Sequence, residues 1–314
     1  MMSPGSGISL DPWFDNYADR AEGLSASEVR ALFAVASRPE VVSLAGGMPF
    51  VAALPFDKVR SSVDRVLSEA GATALQYGSG QGLPALRERI LEIMALEGIR
   101  AGVDEVVVTT GSQQGLDLIA KLFINPGDAI LAESPSYVGA MGVFRSYQAR
   151  VEHVAMDQHG MVPEALVERI EALSAASVSM KFLYLIPNFH NPAGVTLSAQ
   201  RRLEILDIAK AHNILVVEDN PYGLLWFDTP PPQAIRSVDD SGVIYLGSFS
   251  KTFAPGLRVG WVVAPHGIRD KLVLASEAAI LSPSSFSQMV LSDYFEHHDW
   301  KAQIDTFRGV YHER

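Results

Sequence analysis

The chain carries the stretch SFSKTFAPGLRVGW at residues 248–261, directly after the apolar run Val243–Leu246. Lys251 stands among hydroxyl side chains, and Arg258 follows seven residues later. A lysine amine forms a Schiff base with an aldehyde, and hydroxyls with an arginine hold a phosphate dianion through charge-assisted hydrogen bonds. The stretch therefore predicts a site for a phosphorylated aldehyde. The alternative, for a lysine in a serine-rich turn, is an exposed charge between two strands.

Composition limits what kind of partner the chain can have. It has 314 residues, of which 48% are apolar, a formal net charge of -11 and no cysteine. This is enough apolar material for the core of one large domain, and the negative charge gives no general attraction to nucleic acid or anionic membranes. The absence of cysteine excludes disulfides, thiolate metal sites and cysteine nucleophiles. We therefore expect a small-molecule partner and, because the eight histidines form no ligand pattern, no metal.

The chain shows no targeting or membrane signal. No apolar run approaches the roughly 20 residues that span a bilayer, and the first residues lack a signal-peptide pattern. We expect a cytoplasmic protein that binds neither membrane nor nucleic acid.

Short β-branched runs alternate with helical stretches from Glu105 onward. This alternation predicts an α/β fold with a largely parallel sheet and helices on both faces. The predicted strands are Val106–Thr110, Ala129–Ala132, Phe182–Ile186, Ile214–Glu218 and Val243–Leu246, and the predicted helices include Ser112–Phe123, Pro163–Leu173 and Ser198–His212. In such sheets ligands bind at the carboxyl ends of the strands, so polar residues that follow the strands are candidates for one shared crevice.

Three polar side chains follow predicted strands. Ser112 opens a helix whose N-terminus suits a phosphate, although an ordinary capping serine is the alternative. Tyr137 could stack on a planar ring or pack on the surface. Asn191 precedes a proline and could donate a hydrogen bond to a ring oxygen.

Asp219 is the most informative of the supporting residues, because an apolar strand delivers it to the predicted crevice. A buried carboxylate needs a cationic partner. A protonated pyridine nitrogen is such a partner, and the pairing keeps the ring an electron sink. The alternative is a solvated aspartate in a turn before Pro221, which the preceding apolar strand disfavours. These features together indicate pyridoxal 5'-phosphate (PLP).

In this order the pieces resemble the class I/II aminotransferases, which are PLP-dependent enzymes of fold type I. The segments Ser43–Pro49, Gln76–Gly78 and Gly111–Gly115 are similar in particular to the branch containing the 2-aminoadipate and kynurenine aminotransferases. The resemblance extends from about residue 25 to the C-terminus. It implies a PLP-dependent aminotransferase of the EC 2.6.1 type that moves an amino group between an L-amino acid and a 2-oxo acid. Glutamate and 2-oxoglutarate would form one substrate pair.

The resemblance also implies roles for individual residues. Lys251 would be the Schiff-base lysine, Asp219 the partner of the pyridine nitrogen, and Tyr137 the residue that stacks on the ring. Asn191 and Tyr222 would hydrogen-bond the ring hydroxyl, with Tyr222 counted among the catalytic residues.

Further roles concern the phosphate and the substrate. The phosphate would be bound by Ser112, Gln113, Ser248, Ser250 and Arg258. In this family branch Tyr77 would reach the phosphate of the neighbouring subunit, which implies a homodimer with shared active sites. Substrate contacts are expected from Gly47, Arg30 and Asn191.

The implied fold is the large domain of a three-layer, aspartate aminotransferase-like PLP-dependent transferase, with a mostly parallel sheet and an incomplete small domain. We expect an N-terminal arm at residues 1–45, a PLP-binding large domain at 46–285 and the start of a truncated C-terminal small domain at 286–314. Relatives of this kind continue for about a hundred further residues, a second domain of ordinary size. That part carries the arginine that clamps the substrate carboxylate, and no residue of this sequence matches it.

Three alternatives remain at this stage. One is a fragment that binds PLP with impaired catalysis, and another is a decarboxylase or lyase on the same fold, since the fold does not fix the reaction. The third is the effector-binding domain of a transcription regulator. Such regulators carry a winged-helix domain, whereas the segment before the matching region is short and not basic.

Overall fold

An eight-stranded sheet forms the centre of the molecule. The computed structural model describes residues 13–22, 38, 40–41 and 47–314. The strand order is β1-β8-β7-β6-β5-β2-β3-β4. The strands are β1 (Val106–Thr109), β2 (Ala129–Ser134), β3 (Arg150–Asp157), β4 (Gly160–Met161), β5 (Met180–Leu185), β6 (Leu215–Asp219), β7 (Val243–Ser248) and β8 (Gly260–Val263).

Helices connect and cover the strands. They are α1 (Asp19–Glu22), α2 (Phe56–Ala74, kinked at Ala70), α3 (Pro84–Ala95), α4 (Ser112–Phe123), α5 (Val138–Ser146), α6 (Pro163–Ala175), α7 (Ala199–Ala211), α8 (His266–Ile280), α9 (Ser285–His297) and α10 (Trp300–His312). Short 3-10 turns occur at Phe14–Asn16, Val51–Ala53, Val103–Glu105, Ile235–Ser237 and Pro255–Leu257.

The predicted α/β fold with a mostly parallel sheet is confirmed. Strands β2, β3, β5, β6 and β7 pair in parallel, whereas β8 runs antiparallel to both β7 and β1, and β4 runs antiparallel to β3. The carboxyl ends of β1, β2, β5, β6 and β7 therefore lie at the same edge of the sheet. Ligands bind at this edge in open α/β sheets.

Both faces of the sheet are buried, which gives the three layers. Alternate residues of a strand point to opposite faces. On β7, Ile244 and Leu246 join an apolar cluster with residues of α4, α5 and α8. Val243 packs on the other face with residues of α6 and α7, and Tyr245 packs there with residues of α3, α9 and α10.

Helix boundaries follow local signals in the sequence. Ser198 is the N-cap of α7, and its hydroxyl accepts a hydrogen bond from Arg201 N at 3.3 Å. Proline occupies the first turn of α6 and of α3, a position where its missing N–H costs no hydrogen bond. The predicted helix at 112–123 has the observed bounds of α4.

Helix α9 packs on α2 and α3. Arg65 of α2 donates to both carboxylate oxygens of Asp293 at 2.7–3.2 Å, and Gln288 accepts from Leu83 N at 2.8 Å. The division at residues 45/46 and 285/286 stays a prediction. In the described part of the chain, no helix has both the length and the apolar character needed to cross a bilayer.

Candidate active site

Lys251 lies in the turn that follows β7, at the carboxyl edge of the sheet. Its Nζ donates a hydrogen bond to Gly47 O at 3.0 Å and lies 6.0 Å from the centroid of the Tyr222 ring. Burial lowers the pKa of this half-buried amine. Within residues 47–314, no carboxylate forms an ion pair with Lys251. The amine is therefore easier to deprotonate than an ordinary lysine.

Asp219 ends β6 and is almost completely buried, with 3% of the residue exposed. Its Oδ2 accepts a hydrogen bond from the Tyr184 hydroxyl at 2.8 Å. Its Oδ1 is buried and has no hydrogen-bond partner among the described residues. Burial raises the pKa of the Asp219 carboxyl to about 6, although the Tyr184 hydrogen bond opposes that rise. The site therefore contains a buried acceptor that needs a donor.

Tyr184 was not predicted as a site residue. It lies opposite Val217 in the parallel pairing of β5 with β6, so Asp219 is its diagonal neighbour on the same face. A long side chain reaches across that diagonal, and the hydroxyl bonds the carboxylate. The signal in the sequence was a tyrosine within an otherwise apolar strand.

Asn191 and Tyr222 meet beside Lys251. Asn191 Nδ2 donates to the Tyr222 hydroxyl at 3.4 Å. Burial raises the pKa of Tyr222 to about 12; the Asn191 hydrogen bond lowers it, and the nearby Asp219 charge raises it further. Both side chains can donate hydrogen bonds into the crevice.

Tyr137 immediately precedes α5 and is half-buried. Burial is the main cause of its raised pKa, and the charges of Asp219 and Arg258 act on it with opposite signs. Both charges are therefore close to Tyr137. Gly139 leaves room for the ring, because a Cβ there would lie 2.5 Å from the Tyr137 hydroxyl oxygen.

The start of α4 comes very close to β8 and to Arg258. Gly111 has φ +76°, and a Cβ at Gly260 would lie 2.6 Å from Ser112 N. Arg258 is exposed and donates to Thr110 O at 3.2 Å. A helix N-terminus with free N–H groups beside a guanidinium favours an anion.

The two predicted serines at the end of β7 contact each other. The Ser248 hydroxyl donates to Ser250 Oγ at 2.9 Å, and Ser250 N donates to Ser248 Oγ at 3.1 Å. Ser248 lies opposite Gly260 in the pairing of β7 with β8. The serines therefore lie beside the start of α4.

Two predicted residues have other surroundings. Gln113 uses its side-chain amide to donate to Gly139 O at 3.2 Å. Tyr77 is 77% exposed, and its only hydrogen bond among the described residues joins its N–H to the Gln76 side chain. Arg30 lies outside the described residues.

A second buried pair lies behind Asn191. His190 Nε2 is 3.2 Å from Glu133 Oε2, and both side chains are 1% exposed. Glu133 also accepts from Ile186 N at 2.8 Å, while Ala193 N donates to His190 Nδ1 at 3.3 Å. Because Nδ1 accepts, Nε2 carries the proton; it lies near Glu133 but forms no hydrogen bond with a described residue. This pair was not predicted, although Glu133 directly follows the predicted apolar strand Ala129–Ala132.

No group of three or more histidine, aspartate or glutamate side chains in the described ranges is placed to hold a metal ion.

Comparison with known proteins gives a consistent family match. The family described as "Aminotransferase class I and II" matches residues 40–305. The chain is 40% identical over 283 residues to aromatic-amino-acid aminotransferase 1 of Thermococcus litoralis, which covers 89% of this chain and 68% of the relative. It is 35% identical over 306 residues to 2-aminoadipate transaminase of Thermus thermophilus, with 96% and 74% covered.

A solved structure has the same fold. The crystal structure of Pyrococcus horikoshii kynurenine aminotransferase, in complex with PMP, superposes with a TM-score of 0.91 at 34% identity. The alignment covers 97% of this chain and 76% of that one.

Proposed function

This chain belongs to the class I and II aminotransferases, whose cofactor is PLP, and from that membership we propose that Lys251 and Asp219 are the two chemical centres of its reaction. The reaction is a PLP-dependent transfer of an amino group between an amino acid and a 2-oxo acid. The observation that carries the assignment of residues is the unsatisfied buried oxygen of Asp219, at the same sheet edge as the amine of Lys251.

The residues present fit PLP. Asp219 Oδ1 is a buried acceptor without a donor among the described residues, and a protonated pyridine nitrogen supplies both the donor and the positive charge. Asn191 and Tyr222 supply donors for the ring hydroxyl, and Tyr137 supplies an aromatic face. When bound, PLP contributes an aldehyde that condenses with amines and a ring that withdraws electrons.

The phosphate end of the cofactor fits the start of α4. Backbone N–H groups at Ser112, the hydroxyls of Ser248 and Ser250, and the Arg258 guanidinium lie on the elements that meet there. Arg258 is exposed in this chain and forms no ion pair in the described part. It therefore has hydrogen-bonding capacity left for a phosphate dianion. Gln113 is the second residue of the same helix, and its side-chain amide donates a hydrogen bond to Gly139 O.

Lys251 performs the proton transfers. Burial lowers the pKa of its amine, which favours the neutral form that acts as a base. With PLP bound, Nζ of Lys251 would be the group that takes up and returns the proton of the substrate Cα. Asp219 would hold the pyridine nitrogen of bound PLP in its protonated form, because a buried carboxylate is stabilised by a positive charge beside it.

Substrate choice follows the relatives. The similarity to an aromatic-amino-acid aminotransferase and to a 2-aminoadipate transaminase supports an aromatic amino acid or L-2-aminoadipate as amino donor, with L-glutamate and 2-oxoglutarate as the second pair. Gly47 O accepts a hydrogen bond from Lys251 Nζ, which supports Gly47 as a proposed substrate contact beside the amine. Arg30 stays a proposed substrate contact.

We also propose a cytoplasmic homodimer with shared sites. Tyr77 is 77% exposed, and Leu75, two residues before it, is 74% exposed. Exposed apolar residues concentrated in one region are typical of a protein interface. Tyr77 would contact the phosphate bound by the partner chain.

The test is an absorbance spectrum of the purified chain with PLP, before and after adding L-glutamate, L-phenylalanine or L-2-aminoadipate. We expect a visible band that disappears on amino-acid addition, and no such band in Lys251→Ala. Lys121→Ala, which removes an exposed lysine of α4, is the matched control and should keep the band. A band that no amino acid changes would indicate a PLP-binding protein without transamination. A wild-type chain without a band would overturn the assignment of Lys251.

A further inference from the structure

A buried chain of hydrogen bonds lies behind the candidate active site and joins Arg202, Asn188, Asn220 and Glu97. Arg202 donates to Asn188 Oδ1 at 2.5 Å, Asn188 Nδ2 donates to Asn220 Oδ1 at 3.0 Å, and Asn220 Nδ2 donates to Glu97 Oε2 at 2.9 Å. No more than 9% of any of the four residues is exposed. These four buried polar side chains lie in separate parts of the sequence and are brought together by the fold.

The direction of the bonds in this chain is fixed from its Arg202 end. A guanidinium only donates, so Asn188 accepts with Oδ1 and donates with Nδ2 to Asn220, whose Nδ2 then donates to Glu97. Gly223 N donates to Asn220 Oδ1 at 3.0 Å, which requires the same orientation. The Tyr245 hydroxyl accepts from Asn220 Nδ2 at 3.3 Å and donates to Glu97 Oε2. Glu97 is thus the acceptor at which two donors converge.

The two amides belong to the loops that form the active site. Asn188 precedes Asn191 by three residues in the loop after β5, and Asn220 precedes Tyr222 by two residues in the loop after β6. The bond between Asn191 and Tyr222 themselves is long, at 3.4 Å. The shorter bond between Asn188 and Asn220 therefore fixes the two loops to each other more firmly than the site residues do.

We propose that Glu97 is a positioning residue of the active site, because it fixes Asn220 and thereby holds the loop carrying Tyr222 against the loop carrying Asn191. The inference rests on the proposed function, in which Asn191 and Tyr222 donate to the ring oxygen of PLP. Glu97 itself lies in the turn after α3, and in the described part of the chain its side chain accepts hydrogen bonds from Asn220 and Tyr245 rather than from a proposed cofactor contact.

The electrostatic surroundings make Glu97 dependent on its donors. Burial raises the pKa of its carboxyl to about 7, and the neighbouring Glu218 carboxylate adds to the rise. The hydrogen bonds from Tyr245 and Asn220 and the charge of Arg202 act in the opposite direction. Replacing Glu97 with an apolar side chain would leave two buried donors without an acceptor, which costs more than the lost bonds alone.

The test uses the full chain with PLP and compares Glu97→Leu with Glu97→Gln. Two quantities are measured: the Kd for PLP, and the pH midpoint of the visible band of bound PLP. Donors to the ring oxygen stabilise its anionic form, so displacing them raises the midpoint. We expect Glu97→Leu to raise the Kd by about ten-fold and the midpoint by about one pH unit, if each loosened donor is worth on the order of one hydrogen bond. Glu97→Gln keeps an acceptor oxygen and should restore most of both values.

Glu152→Gln is the control, because it removes another buried carboxylate, on β3, that pairs with Arg150 and Arg169 away from the site. It should leave the Kd and the midpoint unchanged. A folded Glu97→Leu chain with the wild-type Kd and midpoint would reduce Glu97 to a purely structural role and overturn the inference.

If Glu97→Leu does not fold, Tyr245→Phe gives the same decision, since it removes only the hydroxyl that bonds Glu97 and Asn220. An unchanged midpoint in Tyr245→Phe overturns the inference, and an increase supports it. A wild-type chain that shows no band at all refutes the proposed function first, which separates the two failures.

Discussion

At the scale of single residues, Asp219 combines complete burial with an incomplete set of hydrogen bonds. One oxygen is held by Tyr184, and the other has no partner in the described part of the chain. An uncompensated buried carboxylate is costly, so its persistence indicates a ligand that completes it. The same residue therefore links the stability of the chain to occupancy of the site.

Replacing Asp219 with asparagine tests whether its negative charge is needed for PLP binding and catalysis. Asp219→Asn keeps the size of the side chain but cannot stabilise a protonated pyridine nitrogen. We expect kcat to fall by about a hundred-fold or more and the Kd for PLP to rise, because one partner of a buried ion pair is removed. Steady-state kinetics and PLP titration measure both. Asp157→Asn is the control, since Asp157 pairs with Arg201 at the surface and should leave both values near those of the wild type; equal losses in the two variants would contradict the assignment.

The stability of the PLP-free chain should depend on pH in a defined direction. The pKa values of Asp219 and Glu97 in the folded chain are raised to about 6 and about 7, from 3.8 and 4.5. The fold thus favours the protonated carboxyls, and their contribution to stability is full below the unfolded pKa values and lost as the pH rises through 6 and 7. We expect the free energy of unfolding in urea to increase as the pH falls from 8 to 5.

The same measurement on Asp219→Asn and Glu97→Gln identifies the source. Each variant should show a smaller change between pH 8 and 5 than the wild type. An unchanged slope in both variants would show that other groups cause the dependence.

At the scale of elements, the close contact of β8 with α4 explains why the anion end of the site has glycine on both sides. A Cβ at Gly260 would lie 2.6 Å from Ser112 N and 2.7 Å from Gly111 C, and backbone atoms cannot move aside as a flexible side chain can. The first turn of α4 and the strand are therefore fitted to each other through main-chain contact.

Gly260→Ala should displace the start of α4 and weaken PLP binding. We expect the Kd for PLP to rise by about ten-fold or more, since phosphate contacts at a helix N-terminus depend on the direction of its N–H groups. Gly256→Ala is the control within the same loop, because a Cβ there meets nothing within 4 Å. A Gly260→Ala chain that binds PLP as tightly as Gly256→Ala would contradict this account.

The sequence alone predicted the elements with a strong pattern. The apolar runs that became β5, β6 and β7 lie within two residues of their predicted bounds, because fully buried parallel strands are continuous apolar segments. Strand β3 was missed because the exposed residues Arg150 and His153 interrupt its apolar pattern. Strand β8 (Gly260–Val263) was also missed.

Some residues of the candidate site could be predicted from the sequence, and others could not. Lys251 and Asp219 belong to local motifs and could be named in advance. Tyr184 and Glu97 could not, since the contact of each with the site depends on strand register or on a turn distant in sequence.

At the scale of the whole molecule, the proposed homodimer can be tested by mixing defective chains. A Lys251→Ala chain has no amine, and a Tyr77→Phe chain lacks the hydroxyl that would reach the partner's phosphate. In a hybrid dimer, one site combines Lys251 from the second chain with Tyr77 from the first. We expect the mixture to regain tight PLP binding in a fraction of its sites, measured by titration after co-refolding. A mixture that behaves as the sum of its two components would contradict shared sites.

The reversal of direction at β8 also sets a length. Because the strand after Lys251 returns antiparallel beside β7, Lys251 and Arg258 are held at one edge by a single short loop that includes the 3-10 turn Pro255–Leu257. This loop limits how far apart the amine and the anion-binding guanidinium can lie. The number of residues in the loop sets this distance. A ligand must therefore have a matching separation between its carbonyl and its phosphate. We expect the site to prefer an aldehyde whose phosphate is separated from the carbonyl by a distance that matches this loop.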